Sequence, residues 1–565
     1  MKTAQHVEEC DYLILGGGSA GCVMASRLSE DPSVRVILVE AGNSPSEGPD
    51  ADIVRDARFR TYGNPRLVWS TVTAKYTGSG PTLPFSQAKV LGGGSAINGM
   101  HCQRGLPTDY DEWSQLGVTG WNWEQVLPYF KKVEADQDFP GGDHGSDGPL
   151  KIGRIGPEKW SGLTRGIAEA LRQQGLKELR DLNIDEGDGY GAVPLNLNNG
   201  ARHSTADAYL TAAVRGRPNL SILTGATAQR LMIDASSVAG AEVDDRGRNV
   251  AIRAAETVLC MGAIHSPAFL LRSGIGPAAD LAAAGLPTVA DRPGVGANLA
   301  NHPLLTLGAH LKRAGRQSRA VAHPCPMLVR YSSGVPGCPS TDMTIDVWER
   351  TPNQLNWDPI AAQIANLMLI LNKVYSTGVI KLQASRELDV SFNLLSDYRD
   401  LERMMGGVLF LGQFLSQPSV RKLVNRAFFP AYFSPLVYKL MQNDMQAQLL
   451  SIAGAIGLST PAFVRDRFLD RAGRNLSEVL ADSDALREEV LRSVLPGGHV
   501  AGTCRMGNPA QKATVLDSRC RVVGVDGLRV VDASIFPTLM AAGTNLPVMM
   551  AAEKVSDMMT KDRRS

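Results

Sequence analysis

Apolar and polar positions near the N-terminus alternate in an order that predicts a strand, a turn, a helix and a second strand. The segment from Tyr12 to Gly42 reads YLILGGGSAGCVMASRLSEDPSVRVILVEAG. An apolar run precedes the glycines, an amphipathic stretch follows them, and a second apolar run closes the segment. This order predicts one βαβ unit with two parallel strands.

Further strand and helix patterns lie far along the chain. The apolar run Thr257 to Cys260 precedes GAIHSPAFLLRSGIG, which again indicates a strand, a turn and a helix. From Gly527 to Val555 the pattern predicts a strand, a loop and a helix that opens near Pro547, since proline suits a first helical turn. Between about Pro303 and Leu495 the βαβ rhythm is lost, and strand-like runs such as VIKLQ and LDVSFNLL alternate with helical stretches.

Length and composition indicate a folded chain of several domains. The 565 residues are 44% hydrophobic and 20% charged, with a formal net charge of +1. This balance argues against nucleic acid or an anionic membrane as partner. The eight cysteines are scattered without a CxxC pair, so we expect neither a zinc site nor a dense disulfide framework. Because no secretory h-region and no spanning apolar run appear, we expect a cytoplasmic protein without a membrane span.

The glycines of the βαβ unit match a dinucleotide fingerprint. Gly16, Gly18 and Gly21 have the GxGxxG spacing, and Ser19 and Ala20 begin the helix that would face the phosphates. Glu40, followed by Ala41, ends the second strand where an acid accepts hydrogen bonds from an adenosine ribose. An acid there disfavours a 2′-phosphate. The pattern therefore favours FAD or NAD over NADP, without separating the first two.

Four separated segments carry a resemblance that decides between FAD and NAD. They are the βαβ fingerprint, AKVLGGGSAINGMHCQRG, GAIHSPAFLLRSGIG, and the C-terminal stretch that includes HVAGTCRMG and GLRVVDASIFPTLMAAGTNLPVMMAAEKV. In this order, and over nearly the whole chain, they resemble the glucose-methanol-choline (GMC) oxidoreductase family. The resemblance implies FAD, a discontinuous Rossmann-like α/β domain, and an α+β substrate-binding domain with an antiparallel sheet.

The resemblance also implies a division of the chain. Residues 1–160, 200–302 and 496–565 would form the FAD-binding domain, and the last part would carry the catalytic residues. Residues 303–495 would form the substrate-binding domain. The apolar stretch from Val420 to Phe468 fits a helical lid, a dimer contact or a membrane-touching surface.

Family positions further imply individual cofactor-binding residues. Beyond the fingerprint, Glu40 and Ala41, they are Gly92, Gly93, Gly94, Ser95, Asn98, Gly99, Met100, Ala228, Asp532, Ala533, Asn545 and Pro547. Some members bind FAD covalently through a histidine where this chain has Ile97, so we expect non-covalent FAD here. Gln87 and Ala88 depart from the family's usual arginine-glycine before the loop, which leaves that part of the cofactor lid undetermined.

Two residues would carry the chemistry. His499 lies in a loop made flexible by Gly497 and Gly498, and a histidine there can accept a proton at neutral pH. The resemblance places it at the flavin, with Asn545 holding the substrate oxygen. No metal is required. His265 and His302 are expected to be structural, His101 is expected to be structural or to support the residues that touch the flavin, and Arg202 is expected to organise a domain junction.

The implied reaction is oxidation of a primary alcohol to an aldehyde, with molecular oxygen reoxidising the flavin. The stretch RGLPTDYDEWSQLGVTGWNWEQVLPYFKK is similar to bacterial members that act on aromatic or furanic alcohols. A dehydrogenase that uses a quinone, a hydroxynitrile lyase on the same fold, a nicotinamide dehydrogenase and a non-catalytic binding protein are the alternatives. Gly498, where a bulky residue is often found, predicts a roomy pocket beside His499.

Overall fold

The predicted βαβ unit forms the centre of a seven-stranded sheet. The computed structural model describes residues 6–45, 50–61, 63–352, 358–432, 434–440 and 444–564. The strands His6–Leu15 and Val36–Glu40 are parallel, and the helix Ser19–Leu28 connects them, which confirms the prediction. Every residue of the second strand is buried, as expected for a parallel strand covered on both faces.

Segments distant in sequence complete this sheet. The strand Arg248–Leu259 pairs in parallel with His6–Leu15 along one edge and, near its end, with Leu528–Val530 along the other. Its first half pairs antiparallel with Ser237–Asp245. The remaining strands of the sheet are Leu220–Thr224 and Ala226–Asp234. The predicted discontinuous α/β fold is confirmed, because its strands come from both ends of the chain.

A second sheet of nine strands is almost wholly antiparallel; among its described strands only the last two at one edge, Gly189–Ala192 and Lys177–Glu178, run parallel to each other. This confirms the predicted antiparallel sheet of the α+β half. The strands, in order across the sheet, are Gly473–Asn475, Val424–Pro430, Pro303–Leu311, Ile364–Leu371, Met343–Trp348, Met327–Tyr331, Gly189–Ala192 and Lys177–Glu178, with Leu495–Pro496 paired to the start of Pro303–Leu311.

The two faces of this sheet differ in character. On one face the side chains are apolar and fully buried, as at Ile345 and Leu369, and the helix Tyr398–Ser416 covers them. Gly407 of that helix allows the approach, since a Cβ there would lie 2.6 Å from the Leu369 side chain. The other face carries polar or amphipathic side chains that are also buried: Thr306, Thr344, Asp346, Trp348 and Asn366. A buried polar face needs partners, and it is this face that reaches the site described below.

Two predicted strands of the middle region belong to a separate sheet. Val379–Leu382 and Leu388–Ser391 form a hairpin that joins Thr73–Lys75 and Thr82–Pro84 from the first part of the chain. The domain boundaries given above stay a prediction. The two-stranded sheets are Leu197–Asn198 with Ala201–Arg202, Ile275–Gly276 with Ala290–Asp291, and Glu134–Asp136 with Leu150–Ile152.

The helices pack around both sheets, and one continuous apolar core includes Leu13 of the first sheet and Leu369 of the second. The α-helices are Ser19–Leu28, Ala51–Arg55, Gly94–Ile97, Pro107–Gln115, Trp123–Val133, Gly162–Gln173, Thr205–Tyr209, Ala212–Arg215, Gly262–Arg272, Ala278–Ala283, Tyr398–Ser416, Pro418–Arg421, Pro435–Leu440, Met445–Leu458, Ala462–Ala472, Leu476–Val479, Ser483–Ser493 and Asn545–Arg564. Short 3₁₀ helices are Pro65–Leu67, Pro157–Lys159, Arg313–Gly315, Ala361–Gln363 and Ala533–Ile535.

The apolar stretch between Val420 and Phe468 holds the strand Val424–Pro430 and three helices that begin at Pro435, Met445 and Ala462. Residues 433 and 441–443 lie outside the described residues. Met445, Leu449 and Ile456 are exposed along one helix. Within the described ranges, no helix combines the length and the apolarity needed to cross a bilayer.

Candidate active site

The first glycine turn can be built only with glycine at its two ends. Gly16 has a φ of +104°, and a Cβ there would lie 2.5 Å from the carbonyl oxygen of Cys260. A Cβ on Gly21 would lie 1.9 Å from the Gly16 oxygen, so the helix could not pack on the turn. Gly18 precedes the helix Ser19–Leu28 and offers no side-chain cap, which leaves the N–H groups of the first helical turn available to an anion.

Glu40 closes this turn from the neighbouring strand. Its carboxylate accepts hydrogen bonds from the backbone N–H groups of Gly17, at 2.8 Å, and Gly42, at 2.7 Å. Burial raises the pKa of Glu40 to about 7, although the two N–H groups act in the opposite direction. Each oxygen accepts one of these bonds and can accept another, so the residue can also hold a ribose hydroxyl.

A second glycine turn lies directly against the first. Gly93 has a φ of +52°, and a Cβ there would lie 2.6 Å from Cα of Gly18. Ser95 donates its hydroxyl to the carbonyl of Gly92 at 2.6 Å, which holds the turn closed. A Cβ added at Gly94 would meet no atom within 4 Å. The paired turns therefore leave an open, glycine-lined cradle, which fits the pyrophosphate of a dinucleotide.

Arg202 fixes the residues that follow this second turn. Its guanidinium donates to the carbonyl of Ser95 at 3.2 Å and to Oδ1 of Asn98 at 2.9 Å. The same Asn98 oxygen accepts the backbone N–H of Met100. Burial lowers the pKa of Arg202 to about 9. The sequence predicts that Arg202 organises a domain junction; its contacts with the turn could not be found from the surrounding residues, Arg202 to Leu210, alone.

Asp532 joins two segments behind the first turn through three hydrogen bonds. Its carboxylate accepts hydrogen bonds from Gly262 N–H at 2.9 Å, from the hydroxyl of Ser266 at 2.5 Å and from Ser534 N–H at 2.8 Å. Burial raises the pKa of Asp532. The helix Gly262–Arg272 and the C-terminal strand are thereby locked together. The structure thus gives this predicted residue a clear supporting role.

Asn545 begins the last long helix and contacts the first. Its Oδ1 accepts a hydrogen bond from the Ser19 hydroxyl at 2.7 Å, which joins the two ends of the chain. Its Nδ2 is buried and has no hydrogen-bond partner within the described residues. An amide N–H without a protein partner can donate to a ligand oxygen. Both the first helix and the last helix therefore begin at the same cradle.

The other predicted cofactor-binding residues lie in or near the same segments. Ala20 is in the first helical turn, Ala41 follows Glu40, Gly99 and Met100 follow the second glycine turn, Ala533 follows Asp532, and Pro547 is the third residue of the last helix. Ala228 lies apart from them, on the strand Ala226–Asp234 opposite Val243. Its role at the adenine stays a prediction.

His499 lies in a loop between two other segments of the site. Its backbone N–H donates to Oδ1 of Asn301 at 3.0 Å, and its Nδ1 lies 2.9 Å from Nδ1 of His302. Gly543, two residues before Asn545, packs on the ring, since a Cβ there would lie 3.2 Å from Nε2. Burial lowers the pKa of His499 to about 4, and the charge of His101 acts in the same direction. The imidazole is therefore neutral at pH 7 and can accept a proton.

Family models and known proteins match this chain over nearly its whole length. Residues 10–304 match the N-terminal model of the GMC oxidoreductases, and residues 374–552 match the C-terminal model. The chain is 38% identical to 5-(hydroxymethyl)furfural oxidase of Methylovorus sp. (strain MP688), over 97% of this chain and 98% of that protein. It is 31% identical to an oxygen-dependent choline dehydrogenase of Brucella anthropi, over 97% and 95%.

The chain also shares its fold with solved structures. Pyridoxine 4-oxidase from Mesorbium loti superposes with a TM-score of 0.81 at 28% identity, over 98% of this chain and 99% of that one. Formate oxidase from Aspergillus oryzae shares the fold, with a TM-score of 0.82 at 20% identity. The fold and the site define an FAD-dependent oxidoreductase. Within that class, the chain belongs to the GMC oxidoreductase family.

Proposed function

We propose that this protein oxidises a primary alcohol, aromatic or furanic in class, to the aldehyde, and that molecular oxygen reoxidises its flavin. One observation carries the proposal: Gly543 packs on the ring of the buried base His499, and two residues later Asn545, whose Nδ2 has no partner among the described residues, contacts Ser19 at the glycine-lined cradle. The similarity to 5-(hydroxymethyl)furfural oxidase supports the substrate class. We also propose the division into the domains given above.

The shape and the hydrogen-bonding groups of the cradle suit FAD. Space at Gly94, the free first turn of the helix Ser19–Leu28 and the acceptor capacity of Glu40 match a pyrophosphate and an adenosine ribose. We propose that FAD binds non-covalently, because Ile97 offers no atom that could bond to the flavin ring. When bound, the flavin supplies an acceptor for the hydride of the alcohol carbon.

The residues of the chain supply the rest of the reaction. Nε2 of His499 would take the hydroxyl proton as the hydride leaves, which is general-base catalysis worth roughly a hundred- to ten-thousand-fold in rate. Nδ2 of Asn545 would donate to the alcohol oxygen and hold it in place. The Ser19 hydroxyl orients that amide by binding its Oδ1. No side chain forms a covalent bond with the substrate.

Anaerobic mixing with alcohols tests the proposal. The purified protein should show a flavin spectrum that benzylic or furanic alcohols bleach, and air should restore it with formation of peroxide. His499→Ala should keep the flavin and slow bleaching by the factor above. His310→Gln, at a histidine that contacts Asn425 instead, should bleach at the wild-type rate. Recovery only with a quinone would indicate the dehydrogenase. A flavin that no alcohol bleaches, in a protein that cleaves hydroxynitriles, would overturn the proposal in favour of the lyase.

A further inference from the structure

Three side chains, those of His101, Asp346 and Trp348, form a cluster beside the residues that follow the second glycine turn. Nδ1 of His101 lies 3.5 Å from a carboxylate oxygen of Asp346, and the His101 ring stacks on Trp348 with centroids 6.1 Å apart. The Trp348 ring also packs on Gly99, where a Cβ would lie 3.3 Å from it. Asp346 and Trp348 belong to the polar face of the nine-stranded sheet. The cluster therefore lies between that face and the cofactor turn.

Three atoms of this cluster lack a hydrogen-bond partner among the described residues. They are Oδ1 of Asp346, Nε2 of His101 and Nε1 of Trp348. Asp346 is only 5% exposed, and a buried carboxylate is costly unless its oxygens accept hydrogen bonds. When Nδ1 of His101 carries the ring proton toward Asp346, its Nε2 is an acceptor. The Trp348 N–H can serve one Asp346 lone pair, and Nε2 of His101 and the remaining lone pairs of the carboxylate are left for a donor from outside the chain.

The cluster borders the predicted cofactor turn. Trp348 packs on Gly99, the His101 side chain keeps 15% of its surface exposed, and burial and the charge of His101 both lower the pKa of His499. We propose that Asp346 and His101 form a specificity site. It would bind a hydrogen-bond donor, either a second hydroxyl or a protonated nitrogen, carried by the alcohol at the end remote from its oxidised carbon. This inference rests on the proposed alcohol oxidation.

A metal could use some of the same residues. Ligand atoms of His101, Cys325 and Asp346 all lie within 4.8 Å of one another. However, the Cys325 thiol contacts the carbonyl of Met327 at 3.7 Å, and burial raises the pKa of that thiol well above its usual range. A metal would have to displace this contact and remove the thiol proton. Zinc binding is therefore a competing outcome, and the experiment includes it.

The test compares alcohols that differ only at the remote end. Benzyl alcohol and 4-(methoxymethyl)benzyl alcohol carry no donor there, whereas 1,4-benzenedimethanol carries a hydroxyl and 4-(aminomethyl)benzyl alcohol a cation. The holoenzyme should prefer one or both donor-bearing alcohols over the methoxymethyl analogue by about ten- to a hundredfold in kcat/KM. Asp346→Leu should abolish this preference and leave benzyl alcohol within about twofold. Asp346→Asn should lower kcat/KM more for the aminomethyl alcohol than for 1,4-benzenedimethanol, which distinguishes a protonated nitrogen from a hydroxyl as the preferred donor.

Matched variants and a binding measurement complete the experiment. Thr306→Val, a near-isosteric change on the same buried face, should retain the preference. His101→Leu should reduce it even if an Asp346 variant fails to fold. Calorimetry with 2-phenylpropan-2-ol and its 4-aminomethyl derivative measures the site without turnover, because tertiary alcohols carry no hydride. Tighter binding of the derivative, lost in the Asp346 and His101 variants, would support the site even if no primary alcohol were oxidised.

Three results would overturn the inference. The first is an equal kcat/KM for the donor-bearing and methoxymethyl alcohols in the wild type. The second is a preference that survives in both Asp346→Leu and His101→Leu. The third is stoichiometric binding of Zn²⁺ that Cys325→Ser abolishes, which would make the cluster a metal site.

Discussion

The Nδ1 atoms of His302 and His499 lie 2.9 Å apart, so one ring donates its proton to the other. If His499 donates, its Nε2 keeps a lone pair and can act as the base. If His302 donates, Nε2 of His499 carries the proton and cannot. Burial lowers the pKa of both His302 and His499, so both rings are neutral and either Nδ1 can donate. Only the arrangement in which His302 accepts leaves Nε2 of His499 free to act as the base, and we expect His302 to be a positioning residue for that tautomer.

Substitution of His302 tests this role. His302→Leu removes the acceptor and should slow anaerobic flavin reduction by about tenfold or more, since a hydrogen bond of this kind is worth about 1.4 kcal/mol or above. His302→Gln retains a carbonyl oxygen that can accept from His499 and should recover part of the rate. Stopped-flow measurements at several pH values give both rates. Equal rates for the two variants, with intact flavin spectra, would contradict the tautomer argument.

The pH profile of the reaction should reflect the low pKa of His499. Because the base is active when neutral, activity is present above its pKa of about 4 and is lost as the pH falls through that value. The rate of flavin reduction should therefore stay level from pH 8 to about 5.5, then fall roughly tenfold per unit below pH 4. The flavin spectrum at each pH provides the control. A fall in the rate centred near the ordinary histidine pKa of 6.5 would contradict a buried base with a lowered pKa.

Glu40 should matter for stability as well as for the cofactor. Glu40→Ala removes the acceptor of two backbone N–H groups, those of Gly17 and Gly42, and should cost about 2 to 5 kcal/mol in the free energy of unfolding. Glu40→Gln keeps one acceptor oxygen and should lose about half as much. Urea unfolding of the two variants and of wild type measures the difference. Unchanged stability in both would show that the turn does not depend on this carboxylate.

Arg202 should control FAD affinity through the second glycine turn. Arg202→Met removes the donors to Ser95 and Asn98, and we expect FAD binding to weaken about tenfold or more. Arg202→Lys keeps the charge but cannot donate to both acceptors at once, so its affinity for FAD should lie between that of Arg202→Met and that of wild type. Fluorescence titration of the apoprotein measures the affinity. Arg248→Met, at an exposed site, is the control, and an Arg202→Met protein that binds FAD like the control would refute the role.

Ser19 should orient the amide of Asn545. Ser19→Ala frees Oδ1 of Asn545, so the amide can rotate and present either atom to the substrate. We expect kcat/KM for a good alcohol to fall about two- to tenfold, with little change in FAD content. Steady-state kinetics and the absorbance ratio of flavin to protein give the two quantities. Loss of FAD without a change in kcat/KM per flavin would assign Ser19 to cofactor binding instead.

The sequence determined those parts of the site that depend on local geometry. The spacing of Gly16, Gly18 and Gly21 predicts the first turn because each position has a steric requirement that other residues cannot meet. Alternation of apolar runs likewise predicts the βαβ unit, and Glu40 follows from its place at the end of the second strand. The resemblance to the GMC family added the second glycine turn, His499 and Asn545.

Only the tertiary structure brought the supporting residues to the site. His302 was expected to be structural, yet it contacts His499 across nearly two hundred residues of chain. Asp346 carries no motif, and its position beside His101 follows from the register of the nine-stranded sheet, which decides the face to which each side chain points. Short-range spacing fixes turns and caps, whereas contacts of this kind depend on how whole sheets pack, and no local pattern records that.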